Sequence, residues 1–96
     1  MKRTVKANIT WIPTELGGRK TVMPVGMRYC PIIVFSSEQT SESLWCAEMF
    51  NTYINGRESV ADVTYLVDSA PFHLLESGRA FSLYEGQRIV AEGVIQ

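Results

Sequence analysis

Between Thr4 and Ile12, TVKANITWI, every second residue is apolar. Val5, Ala7, Ile9 and Trp11 alternate with Thr4, Lys6, Asn8 and Thr10, the period of a strand with one buried and one solvated face. Pro13 ends the run because it cannot donate to a ladder. Short runs of the same kind recur along the chain. Pro31–Phe35 (PIIVF) is a compact apolar strand, expected to be buried on both faces. Ser59–Asp68 (SVADVTYLVD) is a longer strand, broken by Ser69-Ala70-Pro71. Arg79–Tyr84 and Arg88–Ile95 form a terminal pair around Glu85-Gly86, and Gly93 within the second of them suggests a bulge or a close backbone crossing. Turn residues separate these runs: Gly17-Gly18 supplies positive φ, and Pro24 and Gly26 punctuate the next stretch. About five or six short strands joined by turns point to an all-β sandwich or barrel.

One stretch permits two readings. In LWCAEMFNTYING, Trp45, Met49 and Tyr53 fall at i, i+4 and i+8, which suits a short helix within 44–55 closed by Asn55-Gly56. The same composition suits a strand from Leu44 to Phe50. Before it, SSEQTSES (36–43) has no apolar residue and reads as a loop.

Ninety-six residues suit a single domain, 1–96, and 46% hydrophobic with 20% charged residues is the composition of a chain with a core, not a disordered one. The net charge of −1 argues against strong non-specific nucleic-acid binding, which needs a basic face. The charge is uneven. Residues 1–30 carry six basic side chains against Glu15, and residues 31–96 carry three arginines against nine acids. Two faces that neutralise each other in the fold are the ordinary outcome. A small basic patch for an anionic partner is the alternative.

Met1-Lys2-Arg3 is not followed by an apolar stretch long enough for a secretory signal, and no run approaches the ~18 apolar residues of a membrane span. With only Cys30 and Cys46 and no paired motif, two reduced thiols in a cytoplasmic protein are expected. Catalytic constellations are sparse. His73 is the sole histidine, Cys30 has no evident third partner, and two cysteines with one histidine fall short of a zinc site. The expectation is a non-enzyme without metal or cofactor.

Three segments, in order and spacing, carry a family resemblance: VKANITWIPTE, GGRKT at Gly17–Thr21, and the long C-terminal stretch from Ala61 to Ile95. Together they resemble the C-terminal (third) β-barrel domain of elongation factor Tu. The closing match runs through Phe81, Leu83, Glu85, Gly86, Arg88, Val90, Gly93 and Val94. The resemblance implies a small antiparallel, Greek-key-like barrel of about six strands, and it favours a strand over a helix opposite LWCAEMF. Residues 36–58 diverge from it, and two extra residues precede Pro31. The factor's GTP chemistry needs G-x-x-x-x-G-K-[ST], and GGRKT lacks both the Gly-Lys pair and the upstream glycine, so no nucleotide is expected.

In that family the barrel meets protein partners and also helps hold aminoacyl-tRNA at the T stem through the closing hairpin. The resemblance therefore implies a binding module with translation-associated partners. The missing GTPase motifs and catalytic constellations make a non-enzyme the expectation, and the lack of a membrane-binding stripe makes no membrane the expectation. A protein partner is the first expectation. RNA is the alternative, through Glu85, Gly86 and Arg88, with Arg19 and Lys20 as further cations. Here Tyr84 stands where the family has Arg, and Gln87 where it has Gly.

Overall fold

The computed structural model describes residues 3–18, 21–35 and 45–96. Arg19, Lys20 and the polar stretch 36–43 lie outside the described residues.

The described chain forms seven strands: β1 (Val5–Trp11), β2 (Arg28–Tyr29), β3 (Ile32–Phe35), β4 (Trp45–Asn55), β5 (Glu58–Tyr65), β6 (Ala80–Glu85) and β7 (Arg88–Ile95). Single 3-10 turns occupy Thr14–Leu16 and Phe72–Leu74. β1 pairs with β5 and β7, β6 with β7 and β3, and β4 with β3 and β5, all antiparallel, so the sheet closes on itself. β2 and β3 meet the same edge of β4 in one register. Arg28 faces Phe50, Tyr29 faces Met49, Ile32 faces Cys46 and Ile33 faces Trp45. They are one strand interrupted at Cys30-Pro31. Pro31 has no N–H to give, but its carbonyl still accepts from Ala47 N at 2.8 Å. The result is a closed six-stranded barrel, as the sequence leads one to expect.

The topology is a Greek key. β2/β3, β4 and β5 are consecutive neighbours, and the chain then crosses through 66–79 to lay β6 beside β3. Among the described residues, closure leaves no long unpaired edge.

The interior is filled by alternate residues. β1 contributes Ala7, Ile9 and Trp11, each at most 2% exposed. Met49, Val63, Tyr65, Phe81 and Leu83 belong to the same core, and Leu74 and Leu75 of the long crossing are buried with them. Rings pack on each other there: Phe35 lies 5.6 Å from Phe81, and Tyr65 lies 5.3 Å from Phe72 in an edge-on arrangement.

Four local expectations need correction. Residues 44–55 hold no helix among those described: from Trp45 the chain is strand β4, because its two edges are needed by β3 and β5 to close the barrel. PIIVF is not buried on both faces. Ile33 and Phe35 point inward, while Ile32 and Val34 are half-buried, since an antiparallel barrel turns one face to solvent. The strand read as Ser59–Asp68 ends at Tyr65, and Val67 is exposed. Gly93, where a bulge or a close backbone crossing is expected, instead makes room for a ring: a β-carbon there would stand 2.4 Å from the Phe81 side chain. The bulge of this hairpin lies earlier. Leu83 faces Ala91 but Tyr84 faces Ile89, so Val90 is the extra residue, and Val90 and Ala91 are both buried in succession.

Candidate functional site

The β6–β7 turn is set by Gly86, whose φ of 63° suits glycine. Glu85 and Arg88 face each other across it. A glycine of positive φ at the first central position, followed by Gln87 without one, is the pattern of a type II′ hairpin. The β4–β5 turn repeats it at Gly56-Arg57.

These two turns and the crossover between β1 and β2 share one end of the barrel. Trp11 N donates to Arg57 O at 2.7 Å and Ile12 N to Val90 O at 2.9 Å. Gly26 N donates to Asn51 O at 3.0 Å. Gly18 lies against the carbonyl of Ile12 so closely that a β-carbon would stand 1.7 Å from its oxygen, which fixes the return of the crossover onto β1.

The charged residues of the closing hairpin bind each other. Arg88 Nη2 donates to Glu85 Oε1 at 3.0 Å, and the Tyr29 hydroxyl donates to Glu85 Oε2. The Glu85 carboxylate thus ties the hairpin to β2, and the Tyr29 ring sits 5.8 Å from Trp11. From Trp11 a buried polar chain continues. Its Nε1 donates to Ser59 Oγ at 2.9 Å, Ser59 Oγ donates to Asn51 Oδ1 at 2.9 Å, and Asn51 Nδ2 donates to the Met23 carbonyl at 2.7 Å. Each member satisfies the next, so none of these polar groups is buried without a partner.

Of the residues expected to meet RNA, Glu85, Gly86 and Arg88 lie together on the closing hairpin. Arg19 and Lys20 lie outside the described residues. Sequence reasoning missed Tyr29, Asn51 and Ser59. Ser59 was findable: it shares the inward parity of Ala61, Val63 and Tyr65. Tyr29 follows only once β2 is known to continue β3.

Other cations at the surface are paired as well. Lys6 meets Asp62 at 2.5 Å, Arg28 meets Glu48 at 2.6 Å and Arg79 lies 3.7 Å from Glu76. The Arg28 guanidinium is held above its ordinary value, chiefly by its hydrogen bond to Glu48 and next by attraction to Cys30. Four large apolar side chains at or near the turn-bearing end are exposed instead: Leu16, Val25, Met27 and Tyr53.

Cys30 is half-buried and Cys46 exposed, both as free thiols, and His73 is exposed on the second 3-10 turn. Among the described residues no three His, Cys, Asp or Glu side chains are grouped to hold a metal ion, and no helix is long and apolar enough to cross a membrane. No known protein family, curated protein or solved structure matches this chain.

Proposed function

We propose that this chain is a non-enzymatic, protein-binding barrel module whose contact face is the end formed by the β1–β2 crossover and the two hairpin turns. The carrying observation is a contrast in exposure on that end. Leu16, Val25 and Met27 of the crossover are 72%, 57% and 52% exposed, while Arg88 is engaged by Glu85. Exposed apolar side chains collected on one segment are the mark of a surface that meets another protein. Methionine among them suits a surface that adapts its shape to a partner. The motif resemblance to the third domain of elongation factor Tu supports a translation-associated partner in the cytoplasm.

The alternative is RNA, tRNA in the first instance, at the closing hairpin. The Arg88 side chain is 54% exposed and stands beside a glycine that lets a backbone approach closely. Against it, the carboxylate of Glu85 already accepts from Tyr29 and Arg88, and ion pairs consume the charge a phosphate would seek.

The test is a two-arm binding experiment. In the first arm, immobilised protein retains a partner from native lysate, and a Leu16→Asp/Met27→Asp variant loses it while Arg88→Ala keeps it. In the second arm, labelled tRNA is titrated at low and at physiological salt and no saturable binding is found. Retention of no protein, or retention indifferent to the double substitution, overturns the protein reading. Salt-sensitive tRNA binding lost in Arg88→Ala establishes the alternative.

A further inference from the structure

The outer face of the barrel carries a groove of about 290 Å³ on the side where β1, β5 and β4 run together. Register places its outward side chains in two rows. Asn8 of β1, Val60 of β5 and Tyr53 of β4 form one row, and Thr10, Glu58 and Asn55 form the next. Ile9 and Ser59 complete the lining.

The aromatic member is there because of a bulge. Ala47, Met49 and Asn51 point inward, and simple alternation would send Tyr53 inward after them. Asn51 faces Ala61 but Tyr53 faces Val60, so Thr52 is an extra residue. It turns Tyr53 out, leaving the side chain 59% exposed beside the groove. A bulge that re-aims one side chain is a recurrent device next to binding sites.

The polar groups around that ring are uncommitted. Among the described residues, the side chains of Thr10, Tyr53, Asn55 and Glu58 make no hydrogen bond. Asn8 spends its carbonyl oxygen on Gln96 Nε2 at 2.9 Å, which leaves its amide hydrogens as donors. The lining therefore offers amide donors, a hydroxyl, an amide carbonyl and a carboxylate around one flat aromatic face.

We propose that this groove is a binding site for a neutral polyhydroxylated ligand, a saccharide unit stacked on Tyr53 and hydrogen-bonded by Asn8, Thr10, Asn55 and Glu58. Alternating hydroxyls that both give and accept match this set, and the C–H face of a sugar ring matches the aromatic plane. Other ligand classes match less of it. An anion meets Glu58 with no cation in the lining. A purely apolar ligand strands five polar groups away from water. A cation suits Glu58 and the ring but leaves the amide donors unmatched. A groove this open is expected to hold its ligand weakly, with a Kd of about 1 mM.

The test is a nuclear magnetic resonance titration of the whole protein with three neutral tetrasaccharides of different linkage and substituent: cellotetraose, maltotetraose and chitotetraose. Choline serves as the cation probe. At least one saccharide is expected to shift the backbone amides of 8–10 and 53–60 and the side-chain amides of Asn8 and Asn55, without salt dependence. Tyr53→Ala is expected to weaken that binding about tenfold. Asn55→Ala serves as a second variant, with a severalfold loss. Because both residues are exposed, the dispersion of the remaining spectrum should not change. No shift with any of the three at about 20 mM overturns the proposal, because that is well above the expected constant. So does binding that Tyr53→Ala leaves intact, and so does a response to choline alone that Glu58→Gln abolishes.

Discussion

Gly93 has no room for a β-carbon. Phe81 is its cross-strand partner, and the Phe81 ring would stand 2.4 and 2.8 Å from the added atom, with Ile9 Cδ1 at 2.9 Å. Phe81 cannot retreat freely because it packs against Phe35 inside a closed wall. Gly93→Ala is therefore expected to destabilise the barrel by about 1–3 kcal/mol, the usual range for overpacking. Urea denaturation checks it, and an unchanged midpoint would mean that the Phe81 ring swings away at no cost. Ser59 is the second sensitive residue. Its hydroxyl accepts from Trp11 and donates to Asn51, with all three side chains buried. Ser59→Ala leaves a buried indole N–H and a buried amide oxygen without partners, an expected loss of about 1–3 kcal/mol. It should also change tryptophan emission, since Trp11 loses its polar contact. A midpoint within experimental error of the parent would show that water replaces the hydroxyl. Both residues were partly legible in the sequence. Gly93 within a strand signals a bulge or a close backbone crossing, and the neighbour it makes room for is a side chain that sequence does not name. Ser59 has inward parity, but parity alone does not say what partner a buried hydroxyl finds.

At the scale of elements, the strands with clean alternation or an explicit turn signal were legible and the others were not. β1 announces itself by period 2, and β7 by the Glu85-Gly86 turn and the apolar run after it, although its bulge at Val90 interrupts the alternation. β4 hides for a physical reason. Trp45, Met49 and Tyr53 fall on a spacing that suits a strand and a helix alike, and the bulge at Thr52 then turns Tyr53 off the face that the alternation would give it. Which reading wins is decided from outside the segment, by two neighbours that need its edges. The same holds for β2. Two residues beside a proline carry no strand signal, and only their shared register with β3 along β4 reveals them as the upper half of one strand. The candidate site follows this division. Glu85, Gly86 and Arg88 sit on a hairpin whose turn signal is legible at Glu85-Gly86. Tyr29, which locks Glu85 in place, comes from the strand that had none. The groove beside Tyr53 likewise exists only because of an irregularity that composition does not register.

The whole molecule is held by pairings between distant parts of the chain. β1 lies between β5 and β7, so Ala7 meets both Ala61 and Ile95. The barrel cannot close until its first and last strands are side by side, and no smaller part of it has two complete faces. This argues for one cooperative transition. Trp11, Ser59, Asn51 and the Met23 carbonyl join β1, β5, β4 and the crossover in one chain of contacts, so the turn-bearing end has no independent means of unfolding. Urea transitions followed by tryptophan fluorescence and by far-ultraviolet circular dichroism are therefore expected to coincide. Refolding is expected in milliseconds to seconds, as for other β structures dominated by non-local pairing, and not in microseconds. A fluorescence transition that precedes the loss of strand signal would mean that the crossover end opens alone. In that case the exposed Leu16, Val25 and Met27 belong to a segment that can be ordered by a partner, and partner binding should shift the first transition and leave the second in place.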